Sequence, residues 1–274
     1  MYVSVAVMDT GIFRHMDFDT RIAGFADFVG RKKYLYDDNG HGTHVAGIIA
    51  GSGKGSNGKY RGIAPDTFLV SVKVLDKSGN GKIENVVEAA GWIIENKSAM
   101  NIRVVNISFG TRAKMENGPA IETGEDDYAL IMAVEKMWDS GIVVVAAAGN
   151  NGPGNTSGTA PGISKKIITV GAFDDKNFFS GRGPTRECIV KPEVVVTGSN
   201  IIACNNHQGR YSSKSGTSMA APVVSGAVAR LIKNNPDITP KEVKIWMKSC
   251  CKKINVPSEK QGWGVLDIRK FVTG

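Results

Sequence analysis

A chain of 274 residues with 42% apolar and 22% charged side chains has the composition of a soluble globular protein, which excludes a fibrous or wholly disordered chain. That length accommodates one α/β domain, and nothing in the composition forces a split, so residues 1–274 are expected to form a single domain and to act as a monomer. The formal charge of +8 invites a nucleic-acid reading, but Lys and Arg are scattered, so a solvated basic surface is expected instead.

No apolar run reaches the roughly 18 residues of a membrane span, and the strand-like YVSVAVM that follows Met1 has no leader pattern. Neither a membrane segment nor a signal peptide is expected. Cys188, Cys204, Cys250 and Cys251 lack metal-ligand spacing and read as free thiols, which favours a reducing, cytoplasmic setting. A Cys188 to Cys204 bridge and a secreted mature form are the alternatives.

Along the chain, short β-branched runs alternate with helical patterns. Strands are expected at 3–8, 68–75, 102–108, 142–148 and 166–172, and helices at 41–51, 83–98, 127–140, 217–234 and 239–250. Strands that are almost continuously apolar, separated by helices, predict a mainly parallel sheet covered on both faces. Ligands of such folds bind at the carboxyl ends of the strands.

Asp9 closes the first strand in MDTG, where Gly11 permits a sharp turn; alone, this is also an ordinary turn or capping Asp. In NGHGTHVAGIIAG (39–51), His41 stands at a helix start and His44 one turn on. HxxH without a carboxylate or thiol neighbour is a poor zinc pattern, so His41 reads as a general base and His44 as a packed core residue. Asn150 follows the fourth strand in AAAGNNGP, either as a left-handed turn residue or as an amide donor for an oxyanion. In KSGTSMAAPVVSGAVARL (214–231), Ser218 lies at a helix N-terminus, where free N–H groups favour negative charge. Pro222 is expected near the first turn, where a missing N–H costs least. Thr239-Pro240 reads as an N-cap followed by Pro at the first helical position.

Together VAVMDTGI, NGHGTHVAGIIAG, RGIAP, VVNISFG, VVVAAAGNNGP, APGISKKIITVGA and GTSMAAPVVSGAVA resemble the subtilisin-like serine proteases, the subtilases, in the family's order over nearly the whole chain. The resemblance implies a subtilisin-like three-layer α/β fold and acyl-enzyme hydrolysis of peptide bonds. It makes Ser218 the nucleophile, His41 its base, Asp9 the partner of His41, and Asn150 with the Ser218 N–H the oxyanion donors. It also implies that a protein or peptide substrate lies as an added strand between Gly79, Asn80, Gly81 and Ser108, Phe109, Gly110. Ala147, Ala148, Gly149 and Thr159 would wall an uncharged pocket before the scissile bond, giving broad specificity with an apolar preference. Ile83, Val86 and Phe109 would shape a second apolar pocket.

The segment GSGKGSNGKYRGIAP replaces the family's calcium loop with poor ligands, although Asp17 stands at a family ligand position. No metal site and no required cofactor are expected, with weakly bound structural calcium left open. The acidic run Glu122, Glu125, Asp126, Asp127 is expected in a solvated loop, with attraction of basic substrates or a cation as the alternative. An inhibitory prosegment or a protein inhibitor would be natural further partners. Two other readings stand beside the protease: an idle pseudoprotease that binds peptides in the same cleft, and an aspartic protease needing a dimer, because only one DTG occurs.

Overall fold

The computed structural model describes residues 2–111 and 124–274. In chain order the elements begin β1 (Ser4–Asp9), β2 (Ile22–Asp27), α1 (His41–Ala50), β3 (Phe68–Lys73), α2 (Ile83–Asn96), β4 (Ile102–Ile107) and α3 (Glu125–Asp139). They continue β5 (Val143–Ala147), β6 (Ile168–Ala172), β7 (Val194–Val196), β8 (Ile201–Cys204), β9 (Tyr211–Lys214) and α4 (Thr217–Asn234). The chain closes with α5 (Pro240–Ser249), β10 (Cys251–Lys252), α6 (Ser258–Gln261), β11 (Val265–Leu266) and α7 (Ile268–Val272).

Nine strands form one sheet in the order β10-β11-β7-β6-β5-β4-β1-β3-β2, and β8 pairs with β9 in a separate hairpin. Every pairing in the large sheet is parallel except β10 with β11. Successive side chains of a strand point to opposite faces, so each apolar strand feeds two cores. Val5 and Val7 of β1, Val104 of β4 and Val145 of β5 pack with α1 and α4 on one face. Ala6, Met8, Val105, Ile107, Val144 and Ala146 pack with α2 and α3 on the other. This is the expected three-layer α/β fold, and it requires strands without a polar side.

The five expected strands and five expected helices are all present, with ends shifted by a few residues. The expected cap of α5 is a full capping box: Thr239 accepts from the Glu242 N–H while the Glu242 carboxylate accepts from the Thr239 N–H. One expectation is corrected. Helix α3 begins at Glu125, so Glu125, Asp126 and Asp127 form its first turn rather than a loop; carboxylates there oppose the positive end of the helix dipole. Glu122 lies outside the described residues. Pro222 is the sixth residue of α4, close after the first turn.

Strand β1 lies between β3 and β4. After β3 the chain crosses by α2 to the opposite side of β1, so the carboxyl ends of β1, β3, β4 and β5 share one rim. A crevice opens where the direction of winding changes.

Candidate active site

Asp9 ends β1 and is fully buried. Both of its oxygens face the Nδ1 of His41, at 2.8 and 2.9 Å. His41 opens α1, and its side chain keeps 25% of its exposure, enough to meet a ligand. Gly40 before it has φ 97°, a left-handed turn that glycine adopts without strain. Gly42 must also be glycine, because a Cβ there would collide with the Gly11 carbonyl oxygen. Burial lowers the proton affinity of His41, and the Asp9 charge and hydrogen bond overcome this, so the net shift is upward.

The loop before His41 is fixed by residues that motif reading missed. Asp37 is buried and accepts from Thr10 Oγ1 (2.9 Å), the N–H groups of Gly40 (2.8 Å) and Thr43 (2.9 Å), and Thr43 Oγ1 (2.5 Å). Thr10 Oγ1 in turn accepts from the Gly42 N–H at 2.9 Å. Lys73, 1% exposed at the end of β3, donates to Thr10 O (2.6 Å), Leu75 O (2.9 Å) and Asp38 Oδ1 (2.8 Å). A lysine inside an otherwise apolar buried strand, and two acids just before the Asn-Gly-His turn, were the available signals. His44 is a core residue as expected: its Nε2 lies 3.1 Å from Ile201 O and 3.0 Å from Ser212 O. Burial lowers its pKa to about 4, so it is neutral.

Ser218 is the second residue of α4. Pro222, four residues on, has no N–H to bond the Ser218 carbonyl, and Ser108 Oγ donates to that carbonyl instead, at 2.9 Å. In return Ser218 Oγ donates to the Ser108 carbonyl at 2.8 Å. Its hydroxyl is therefore turned to β4's end rather than bonded to His41. Among the described residues no acceptor takes the Ser218 N–H, which leaves it available at the positive end of the helix. Asn150 sits beside this terminus. Its Oδ1 accepts from the Thr217 N–H and from Thr217 Oγ1, both at 3.0 Å, which commits the carbonyl side of the amide and frees the NH2 side. Thr217 also joins Gly149, accepting from its N–H at 3.2 Å.

A cavity of about 1200 Å³ opens along the rim. Gly79, Asn80, Gly81, Ile83, Val86, Phe109, Gly110 and Thr159 line it, but Ser108, Ala147, Ala148 and Gly149 do not. Ala147 and Ala148 are 2% exposed and belong to the wall behind. Thr159 Oγ1 is buried without a partner among the described residues, and it packs on both Gly110 and Gly149; a Cβ at Gly149 would lie 2.7 Å from it. Charged side chains, among them Asp126, Arg182 and Arg186, also border this cavity.

The turn after α1 surrounds Asp17 with donors. Asp17 is buried, and its carboxylate accepts from the N–H groups of Gly53 (3.0 Å) and Gly55 (2.9 Å) and from Tyr211 Oη (2.9 Å). Calcium needs six to eight oxygen ligands, whereas this turn presents N–H groups to the carboxylate. All four cysteines are free thiols, including Cys188 and Cys204. No helix is long and apolar enough to cross a membrane among the described residues.

Serine protease AprX of Bacillus subtilis (strain 168) is 42% identical over 274 residues, covering 90% of this chain and 60% of AprX. The minor extracellular protease Epr of the same organism is 30% identical over 273 residues, covering 99% of this chain and 38% of Epr. The chain thus spans well under two thirds of either relative. The crystal structure of a cold adapted subtilisin-like serine proteinase superposes with a TM-score of 0.76 at 30% identity, over 96% of this chain and 86% of that one. A family model described as the subtilase family matches residues 2–264, and on that match, with these relatives and this rim of four converging segments, the chain belongs to the subtilases.

Proposed function

We propose that the chain is a serine endopeptidase in which residues 1–274 act as one catalytic domain on protein or peptide substrates. The observation that carries this reading is the buried Asp9 carboxylate with both oxygens on His41 Nδ1. That bond fixes the tautomer in which Nε2 is the free base, ready to take a proton from a hydroxyl. Ser218 is the nucleophile: its Oγ leaves the Ser108 carbonyl for His41, attacks the peptide carbonyl, and forms the acyl-enzyme. His41 passes the proton to the leaving amine, and a water then repeats the sequence to release the acid. Asn150 Nδ2 and the Ser218 N–H stabilise the oxyanion. For this Asn the effect is established in subtilisin itself, at about 10²–10³ in rate.

Substrate lies along the cavity, with Thr159 between Gly110 and Gly149 at the floor of the pocket before the cut, and Ile83, Val86 and Phe109 at a second pocket. The preference is apolar and broad. An inhibitory prosegment or protein inhibitor would occupy the same strand position, and the active species is a monomer. The cytoplasmic setting expected from the thiols finds no support among the relatives, one of which is an extracellular protease by name; a secreted mature form is the reading we adopt.

The test is labelling with a fluorophosphonate, which must modify Ser218 and abolish casein hydrolysis, together with Ser218→Ala. Wild-type turnover in Ser218→Ala refutes the assignment. The inward bond of Ser218 Oγ to Ser108 favours one other reading, an idle peptide-binding pseudoprotease. It predicts peptide binding with neither labelling nor hydrolysis.

A further inference from the structure

A second cluster lies at the far end of α1, about 15 Å from His41 by the rise of a ten-residue helix. His15, Asp17 and Cys204 are all buried, and one ligand atom from each falls within 4.8 Å of the others. We propose that these three side chains bind one thiophilic divalent transition-metal ion of the zinc class. The inference is independent of the peptidase reading.

Spacing comes first. Metal bonds of 2.0–2.3 Å at tetrahedral angles put ligand atoms about 3.3–3.6 Å apart. His15 Nδ1 lies 3.8 Å from Asp17 Oδ1, Cys204 Sγ lies 3.5 Å from Asp17 Oδ2, and one ligand atom of each residue falls within 4.8 Å of the others, so contraction by at most about 1 Å closes the set around one ion.

Orientation comes second. A metal-binding histidine usually donates its other N–H to a carbonyl, and a ligating carboxylate is itself hydrogen-bonded. Here the Asp17 N–H donates to His15 Nδ1 at 3.1 Å, so Nδ1 carries the lone pair and Nε2 donates to Arg210 O, also at 3.1 Å. The donors of Gly53, Gly55 and Tyr211 steer the Asp17 carboxylate. A metal ion would displace the Asp17 N–H from Nδ1, the one existing bond that it must break besides the thiol's.

Charge comes third. A divalent ion with one thiolate and one carboxylate is neutral overall, which removes the main penalty of burial. Without metal, Cys204 Sγ donates to Asp17 Oδ2, so its proton is in place. Binding therefore breaks one S–H bond, forms one S–metal bond and releases one proton to the buffer, with no change of oxidation state. The fourth position goes to water or to Tyr211 Oη. An ion here would join α1's end to the β8–β9 hairpin, which leads directly into α4, and so would act on stability.

Full-length Ser218→Ala protein, which cannot digest itself, is titrated with Co2+. The expected result is a sulfur-to-cobalt charge-transfer band that saturates at one equivalent, with one proton released in calorimetry run in two buffers. A rise in Tm of about 5–10 °C is expected at a hundredfold excess over Kd. Adding Cys204→Ser must abolish the band, and adding His15→Gln must weaken binding by roughly tenfold or more. Cys188→Ser with Cys251→Ser must leave the band unchanged. Should Cys204→Ser fail to fold, His15→Gln carries the same test. Persistence of the band and the Tm rise in folded Cys204→Ser, or no band in folded protein at millimolar Co2+, overturns the site.

Discussion

Thr217→Val is the most informative change to the oxyanion side, because valine keeps the volume and deletes only a hydroxyl. That hydroxyl stands 3.0 Å from Asn150 Oδ1 and accepts from the Gly149 N–H at 3.2 Å. Losing it leaves Asn150 held by the Thr217 N–H alone and leaves a partly buried N–H without an acceptor. An orphaned buried donor costs about 1–3 kcal/mol, which for a domain of this size lowers Tm by roughly 2–4 °C per kcal/mol. Complete loss of the Asn150 donor would cost about 10²–10³ in kcat, so loosening it by one of two bonds should cost about 5- to 100-fold. KM should hardly move, since the oxyanion exists only after attack. Steady-state kinetics on a chromogenic peptide checks this, and so does a double-mutant cycle with Asn150→Ala. In the Asn150→Ala background, Thr217→Val should have almost no further effect on kcat. Additive losses in that cycle, or a KM increase that accounts for the whole defect, would sink the argument that Thr217 works by holding Asn150.

Other expectations follow from the same contacts. With His41 as the proposed base, activity requires its neutral form; its pKa is raised, Asp9 overcoming the effect of burial, so wild-type kcat/KM should fall as pH drops through that raised value. In Asp9→Asn the acid limb should move to lower pH while the plateau drops by several orders of magnitude; an unmoved limb in the pH-rate profile would contradict the assignment. Ser108→Ala strips the Ser218 carbonyl of the donor that replaces the one Pro222 lacks, and thermal unfolding should show a loss of about 1–3 kcal/mol. Lys191 is bonded to Glu193 at 2.7 Å, and burial lowers its pKa from 10.5 to about 8. Between those two values the unfolded chain binds more protons, so this group makes stability rise with pH across that window. Lys191→Met should flatten the rise in denaturant titrations at pH 8 and pH 10, and an identical slope in the variant would exclude Lys191 as its source.

Much of the fold could be read because parallel strands buried on both faces must be apolar throughout. VSVAVM and IVVVAAA declare themselves by composition alone, and Thr239-Pro240 declares its helix by chemistry local to four residues. Strands β2, β7, β8 and β9 escaped that reading. Gly24 interrupts β2, β7 is three residues long, and β9 is the polar YSSK; their pairing comes from neighbours, not from their own pattern. The start of α3 was misplaced for a related reason, since acidic residues signal a loop and a helix's first turn equally well.

Residue types and chain order pointed to the side chains proposed to carry the chemistry: Asp9, His41, Asn150 and Ser218 stand beside glycines and small residues that suit a strand end or helix start. Tertiary structure alone decided how they are held. Asp37 and Lys73 both reach Thr10, 27 and 63 positions away in the chain, Thr217 is recognisable as the clamp on Asn150 only once residues 67 apart in the chain are in contact, and Ser108 turns its hydroxyl towards Ser218 because Pro222 leaves that carbonyl unpaired. The same holds for His15, Asp17 and Cys204, because the 187 residues between Asp17 and Cys204 hide any ligand spacing. Hydrogen bonds act over about 3 Å, and sequence distance carries no information about which distant groups the packed core will bring within that range.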